Sequence, residues 1–130
     1  MDTKKILVAE DDAFLREVYK ETLTRGGYSV ITAINGEDAL VKIKEQGLSM
    51  VLLDIVMPEL DGISVLKKAR EDPGFDTDHK IPIIFLTNLD NDNEIKEALS
   101  IGNGYLIKSQ LTPGQLLADV GKKLAGNTIK

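Results

Sequence analysis

The sequence predicts a doubly wound α/β fold with a five-stranded parallel sheet. Two observations carry this. Hydrophobic periodicity switches repeatedly between short strand-like runs and helical spacing, giving five strand–helix units. The runs 4–9 (KKILVA), 50–54 (MVLLD) and 81–86 (IPIIFL) are nearly continuously apolar, as strands are when helices cover both faces of a parallel sheet. Right-handed crossovers then fix the winding, and function in such folds sits at the carboxyl ends of the strands.

The elements follow in order. After the first strand, residues 13–25 are helical, with Phe14, Val18 and Thr22 four apart and Leu15, Tyr19 and Leu23 four apart. Gly26 and Gly27 stop that helix. Residues 28–33 (YSVITA) form the second strand. Asn35 caps the second helix, Glu37 and Asp38 suit its dipole, Ala39, Leu40 and Ile43 give it an apolar face, and Gly47 ends it. The third strand ends in Asp54. Asp61 caps a helix carrying Ile63, Val65, Leu66 and Ala69, and residues 71–80 form a polar, solvated loop containing His79.

The fourth strand is followed by a helix marked by Ile95, Ala98 and Leu99. Residues 105–108 (YLIK) make a short fifth strand. Thr112 caps the last helix with Pro113 in its first turn, and Leu116, Leu117, Val120 and Leu124 follow at helical spacing. Residues 126–130 (GNTIK) read as a tail, so that one domain spans 1–130 with its core at about 4–125.

Composition narrows the function. A length of 130 residues suits one domain with a proper core. Net charge is -5, which disfavours direct nucleic-acid binding. There are no cysteines and one histidine, excluding disulfides, thiol chemistry and Cys- or His-rich metal sites. No run reaches membrane-spanning length, and the start turns acidic before a signal-peptide core could form, so a cytoplasmic location is expected.

The strand ends carry the chemistry. Strand 1 ends in Glu10, Asp11 and Asp12, strand 3 in Asp54, strand 4 in Thr87 and Asn88, and strand 5 in Lys108. Carboxylates gathered at one edge repel unless a cation intervenes. Oxygen-only ligands favour Mg²⁺, which takes one or two carboxylates and phosphate oxygens. Asp12 is expected to cap helix 1 rather than bind metal. Glu-Asp-Asp after strand 1 would repel a directly bound phosphate, which argues against a nucleotide or flavin site. A phosphatase with paired nucleophile-loop acids would want an acid where Val56 stands. The remaining reading makes Asp54 a nucleophile forming an acyl phosphate, with Lys108 as a point charge on the phosphoryl group and the Thr87 hydroxyl donating to it.

These motifs, AEDD, DIVMPELDG, FLTN and YLIK in order on five strand–helix units, resemble the CheY-like receiver domain of two-component response regulators. The resemblance spans residues 4 to about 125. It implies a flavodoxin-like (βα)5 fold with strand order 2-1-3-4-5. It implies phosphorylation of Asp54 by the phosphohistidine of a sensor kinase or phosphotransfer protein. Mg²⁺ would be held by Asp11, Asp54, the Val56 main-chain carbonyl, and Glu10 through water. Thr87 and Tyr105 would be the switch pair, coupling phosphorylation to the face of helix 4, strand 5 and helix 5.

The expected output is a downstream protein or a fused effector domain, from a monomer or a phosphorylation-dependent dimer. The chain would be a signalling switch and not a metabolic enzyme. The alternative is a degenerate receiver acting as a phosphorylation-independent interaction module. A phosphohydrolase of small substrates ranks last, since no acid/base follows Asp54.

Two positions depart from the family. Asn88 stands where a small residue usually follows the threonine, and its bulk could narrow access to Asp54. Ser109 stands where a cis-proline usually follows the lysine. A non-proline cis bond costs roughly 3–4 kcal/mol, against about 0.5–1 for X-Pro. The loop is therefore expected either to hold a strained cis bond, or to be trans with Lys108 aimed differently.

Overall fold

Five parallel strands pair in the order β2-β1-β3-β4-β5. They are β1 (Lys5–Ala9), β2 (Ser29–Ala33), β3 (Leu48–Asp54), β4 (Ile83–Thr87) and β5 (Gly104–Ile107). The helices between and after them are α1 (Ala13–Arg25), α2 (Gly36–Lys42), α3 (Gly62–Arg70), α4 (Asp92–Ile101) and α5 (Pro113–Leu124). This computed structural model describes residues 3–45, 47–76, 80–88 and 92–126. His79 and residues 127–130 of the tail lie outside the described residues.

Strand alternation sorts the core into two halves. Leu7, Ala9, Val51, Leu53, Ile83 and Phe85 face α2, α3 and α4. Ile6, Val8, Met50, Leu52, Ile84, Leu86 and Leu106 face α1 and α5. Both faces of the central strands are buried, which is why their sequences are apolar at every position rather than every second one.

The helix starts are where the side chains call for them. Asp12 accepts from the Leu15 amide at 3.0 Å, Asn35 from Asp38 at 2.8 Å, Asp61 from Ser64 at 2.8 Å and Thr112 from Gln115 at 3.1 Å. Gly26 and Gly27 end α1, the second at φ +94°, a left-handed conformation glycine adopts without strain.

Other boundaries move. Helix α2 ends at Lys42, well short of Gly47, which at φ +82° turns the chain into β3. β3 begins at Leu48, two residues before the apolar run, because Leu48 is buried and pairs with Lys5 across a bulge. β4 begins at Ile83 rather than Ile81. Pro82 has no amide to give the ladder, although its carbonyl accepts from Val51 at 2.9 Å. Lys108 leaves β5 and opens a 3₁₀ turn, Lys108–Gln110. The loop at 71–80 is not wholly solvated: Phe75 packs onto the α2–α4 core, and the Asp76 carboxylate accepts from the Lys80 and Ile81 amides.

The segment behind Asp54 folds back tightly. Glu59 takes φ +72° in the turn, and the Gly62 amide donates to the Ile55 carbonyl at 2.8 Å. A Cβ on Gly62 would lie 2.1 Å from the Asp54 carbonyl oxygen. Gly62 is thus a close-approach residue as well as the first residue of α3. Gly62→Ala is expected to cost about 2 kcal/mol or more, because backbone must shift. Gly121→Ala, in α5 with nothing within 4 Å, is expected to add roughly 0.5–1 kcal/mol. Urea unfolding of both variants checks the pair.

Candidate functional site

The carboxyl ends of β1 and β3 deliver two buried acids. Glu10 is 0% exposed and Asp54 2%. Asp11, exposed on the next residue, completes a trio whose carboxylate oxygens lie within 4.8 Å of one another. The Arg16 guanidinium donates to the Glu10 carbonyl at 2.8 Å and the Asp11 carbonyl at 3.3 Å, pinning this loop from the first turn of α1. Glu10 Oε2 accepts from the Asp12 amide at 3.2 Å.

The counter-charge is Lys108. Its Nζ lies 2.9 Å from Asp54 Oδ2, to which it donates, and 2.9 Å from Glu10 Oε1. The Glu10 contact is ionic rather than a well-aligned hydrogen bond, since Oε1 has no hydrogen-bond partner. Among the described residues the backbone contains no cis peptide bond. The 3₁₀ turn at Lys108–Gln110 aims the ammonium inward with Ser109 in place of proline. Of the two expected outcomes the peptide is the trans one, and Lys108 still reaches both acids.

Burial first, then the neighbouring Asp54, raises the pKa of Glu10, against the pull of Lys108. Burial and Glu10 likewise raise that of Asp11. Ionising these acids therefore costs the folded state as pH rises above the ordinary carboxylate range. For Lys108, burial alone would lower the pKa, but Glu10 and Asp54 outweigh it and the net shift is upward. Burial and the charge of Glu10 push the phenol of Tyr19 up to about 12.

The switch candidates occupy the other face. Thr87 is buried at the end of β4, opposite Ile107 in register, and Tyr105 is half-buried opposite Phe85. Both share the Phe85 side, towards α2–α4, whereas Glu10, Asp54 and Lys108 continue the α1/α5 side of their strands. Tyr105 lines a cavity of about 310 Å³ with Leu111, Gln115 and Asp119. Val56 is carried on the turn, its side chain 69% exposed. Asn88 is exposed. The structure thus brings Glu10, Asp11, Asp54 and Lys108 together, with Thr87 and Val56 on the segments beside them. Sequence reasoning did not single out Arg16, whose signal was an arginine one turn into the helix after the acids.

A doubly wound domain with buried acids at the ends of β1 and β3, braced by a lysine from the turn after β5, is the class this geometry defines. Residues 6–120 match the family model described as the response regulator receiver domain, and the chain belongs to that family. It is 37% identical over 117 residues to the probable transcriptional regulator ycf27 of Porphyra purpurea, covering 90% of this chain and 46% of that one. With the alkaline phosphatase synthesis transcriptional regulatory protein PhoP of Bacillus subtilis it shares 33% identity over 117 residues, 90% of this chain and 47% of that one. The chain spans about half the length of the curated relatives it matches.

Among solved structures, the chemotaxis response regulator CheY4 of Vibrio cholerae superposes with a TM-score of 0.81 at 26% identity, covering 93% of this chain and 98% of that one. A CheY-like receiver domain protein from Methanospirillum hungatei gives 0.83 at 28%, covering 96% of each. Among the described residues no helix is long and apolar enough to cross a membrane.

Lys108→Met is expected to destabilise by on the order of 3 kcal/mol at neutral pH, because it leaves two buried carboxylates without a counterion. Because the folded pKa of Lys108 is raised, its contribution is present below the ordinary value of 10.5 and lost as pH rises through the folded value. The gap between variant and wild type in urea unfolding should therefore narrow above pH 10.5. It should narrow also in acid, where Glu10 takes up a proton.

Proposed function

We propose that this chain is a phospho-accepting receiver and that Asp54 is the phosphoacceptor. The observation that supports this most is the position of Asp54. It is buried at a strand end, 2.9 Å from an ammonium and beside two further acids. A carboxylate there is oriented by the ammonium and screened from bulk water, as a nucleophile needs to be. An Asp54 oxygen forms the new P–O bond as the P–N bond of a donor phosphohistidine breaks, and the electron pair stays on the departing imidazole. Lys108 is placed to balance the phosphoryl charge as a fixed cation.

The donor set fits Mg²⁺: three carboxylates, hard oxygen ligands and no sulfur or imidazole. Asp11, Asp54 and the Val56 carbonyl would hold the ion, with Glu10 behind them. When bound it supplies neutralising charge for the acids and the phosphoryl group.

Thr87 and Tyr105 share a face and adjacent strands. A phosphoryl group drawing the Thr87 hydroxyl would leave room for Tyr105 to turn inward, a population shift felt on the α4–β5–α5 face. The recipient of that signal would be a protein or a fused effector domain, in keeping with the transcriptional regulators among the relatives. The chain would act as a switch rather than a metabolic enzyme. The degenerate-module alternative draws on Ser109 and Asn88, but Lys108 reaches both acids without the proline and Asn88 is exposed.

Incubation with acetyl phosphate and Mg²⁺ is expected to add one phosphoryl group by intact mass, and Asp54→Asn and chelation by EDTA are each expected to abolish it. Equal labelling of the Asn variant would refute the assignment. Thr87→Ala should still label at Asp54, while the Tyr105 fluorescence or NMR signal that responds to phosphorylation in the wild type stays still.

A further inference from the structure

A second cavity lies at the opposite edge of the sheet from Asp54. Its volume is about 380 Å³, inside the range of small-molecule sites, about 300–1,000 Å³. Four segments meet there: the residue before β1, the start of β3, the residues leading into β4 and the end of α5. The seven residues of β3 separate it from Asp54, a span of roughly 20 Å.

The lining has two characters. Leu48, Ile81 and Leu124 give it apolar walls. Lys4, Lys80 and Lys123 bring three lysines to it from three of those segments, and none of the described lining residues is acidic. Ser49 lines it too. Its Oγ accepts from the Lys5 amide at 3.2 Å, which leaves its own O–H to donate.

This grouping runs against the net charge of the chain, -5. Nearby lysines outside the cavity are matched: Lys5 pairs with Glu45 at 3.1 Å, and Lys44 with Asp72 at 3.5 Å. Among the described residues Lys4 and Lys123 form no ion pair. The dipole of α5 accounts for a lysine in its last turn, and Lys122 serves that end equally well. It does not account for Lys4 and Lys80 meeting Lys123 at one cavity. Like charges gathered without an acid repel, and an anion among them removes the repulsion.

We propose that this cavity is a binding site for a small organic anion, a phosphate monoester with a compact apolar body. Three lysines match a dianion better than a single carboxylate, and the Ser49 hydroxyl adds a donor. The leucine and isoleucine walls cover a hydrocarbon body from water. The site stands apart from the chemistry proposed for Asp54: it lies at the other end of the strands and shares no residue with the acid pocket.

The probe is phenyl phosphate, titrated without Mg²⁺ and followed by backbone amide NMR. Inorganic phosphate supplies the charge without the body, and phenol the body without the charge. The amides of Leu48, Ser49, Ile81 and Leu124 are expected to shift together and saturate with phenyl phosphate, which should bind at least about tenfold tighter than either control. Lys4→Glu and Lys123→Glu are each expected to weaken binding about tenfold. Lys122→Glu makes the same change of net charge on an exposed neighbour outside the lining, and should stay within about twofold of the wild type. Lys4 is exposed before β1, so Lys4→Glu keeps the fold even where Lys123→Glu loosens α5.

Absence of saturating shifts at these four amides overturns the proposal. Equal weakening by Lys122→Glu also overturns it, since the effect would then be one of net charge. Inorganic phosphate binding as tightly as phenyl phosphate overturns the assignment of an apolar body to the ligand.

Discussion

The molecule is organised around one ammonium held between two buried carboxylates. Lys108 lies 2.9 Å from Glu10 and 2.9 Å from Asp54. Without it, both acids would sit in the apolar edge of the sheet with nothing to offset their desolvation. With it, the two acids stand side by side in the fold, although burial and Asp54 still raise the pKa of Glu10. Three strands have to end at the same level for this to work. The parallel order β2-β1-β3-β4-β5 achieves that by putting β1 and β3 side by side and β5 one strand beyond β4.

Tension is concentrated in the same small volume. Glu59 sits in a left-handed conformation, Gly62 approaches the Asp54 carbonyl closely, and Glu10 Oε1 is buried without a hydrogen-bond partner. Glu59 and Gly62 both belong to the turn that follows Asp54. Clustering of unfavourable features around a set of buried charges is what a site selected for chemistry looks like, since a region selected only for stability would shed them.

Much of this was legible in the sequence, for local reasons. Asp12, Asn35, Asp61 and Thr112 cap helices because a short polar side chain three residues before an amide can reach it regardless of tertiary context. The acids and the lysine could be placed because strand ends converge in any doubly wound sheet. What was not legible depended on partners distant in the chain. β3 starts at Leu48 because Lys5 is there to pair with it, which no window around Leu48 reveals. The end of α2 before Gly47 is likewise set by where the chain must enter β3. The aim of Lys108 after Ser109 was open in the sequence, because a trans 3₁₀ turn and a strained cis bond share the same letters. Tyr19 read as part of an apolar stripe, and only its burial in the fold shows that its hydroxyl has no hydrogen-bond partner.

The parity of the strands has a consequence for how such a domain can diverge. Glu10, Asp54 and Lys108 belong to the side that meets α1 and α5, Thr87 and Tyr105 to the side that meets α2–α4. The sheet is a partition one residue thick. On the reading proposed above, acceptor and readout would be joined only through what happens at its rim. Substitutions behind one side can therefore drift without retuning the other, and a duplicated copy could acquire a new listener while keeping its old speaker. Insulation of that kind lets a single scaffold supply many separate wires.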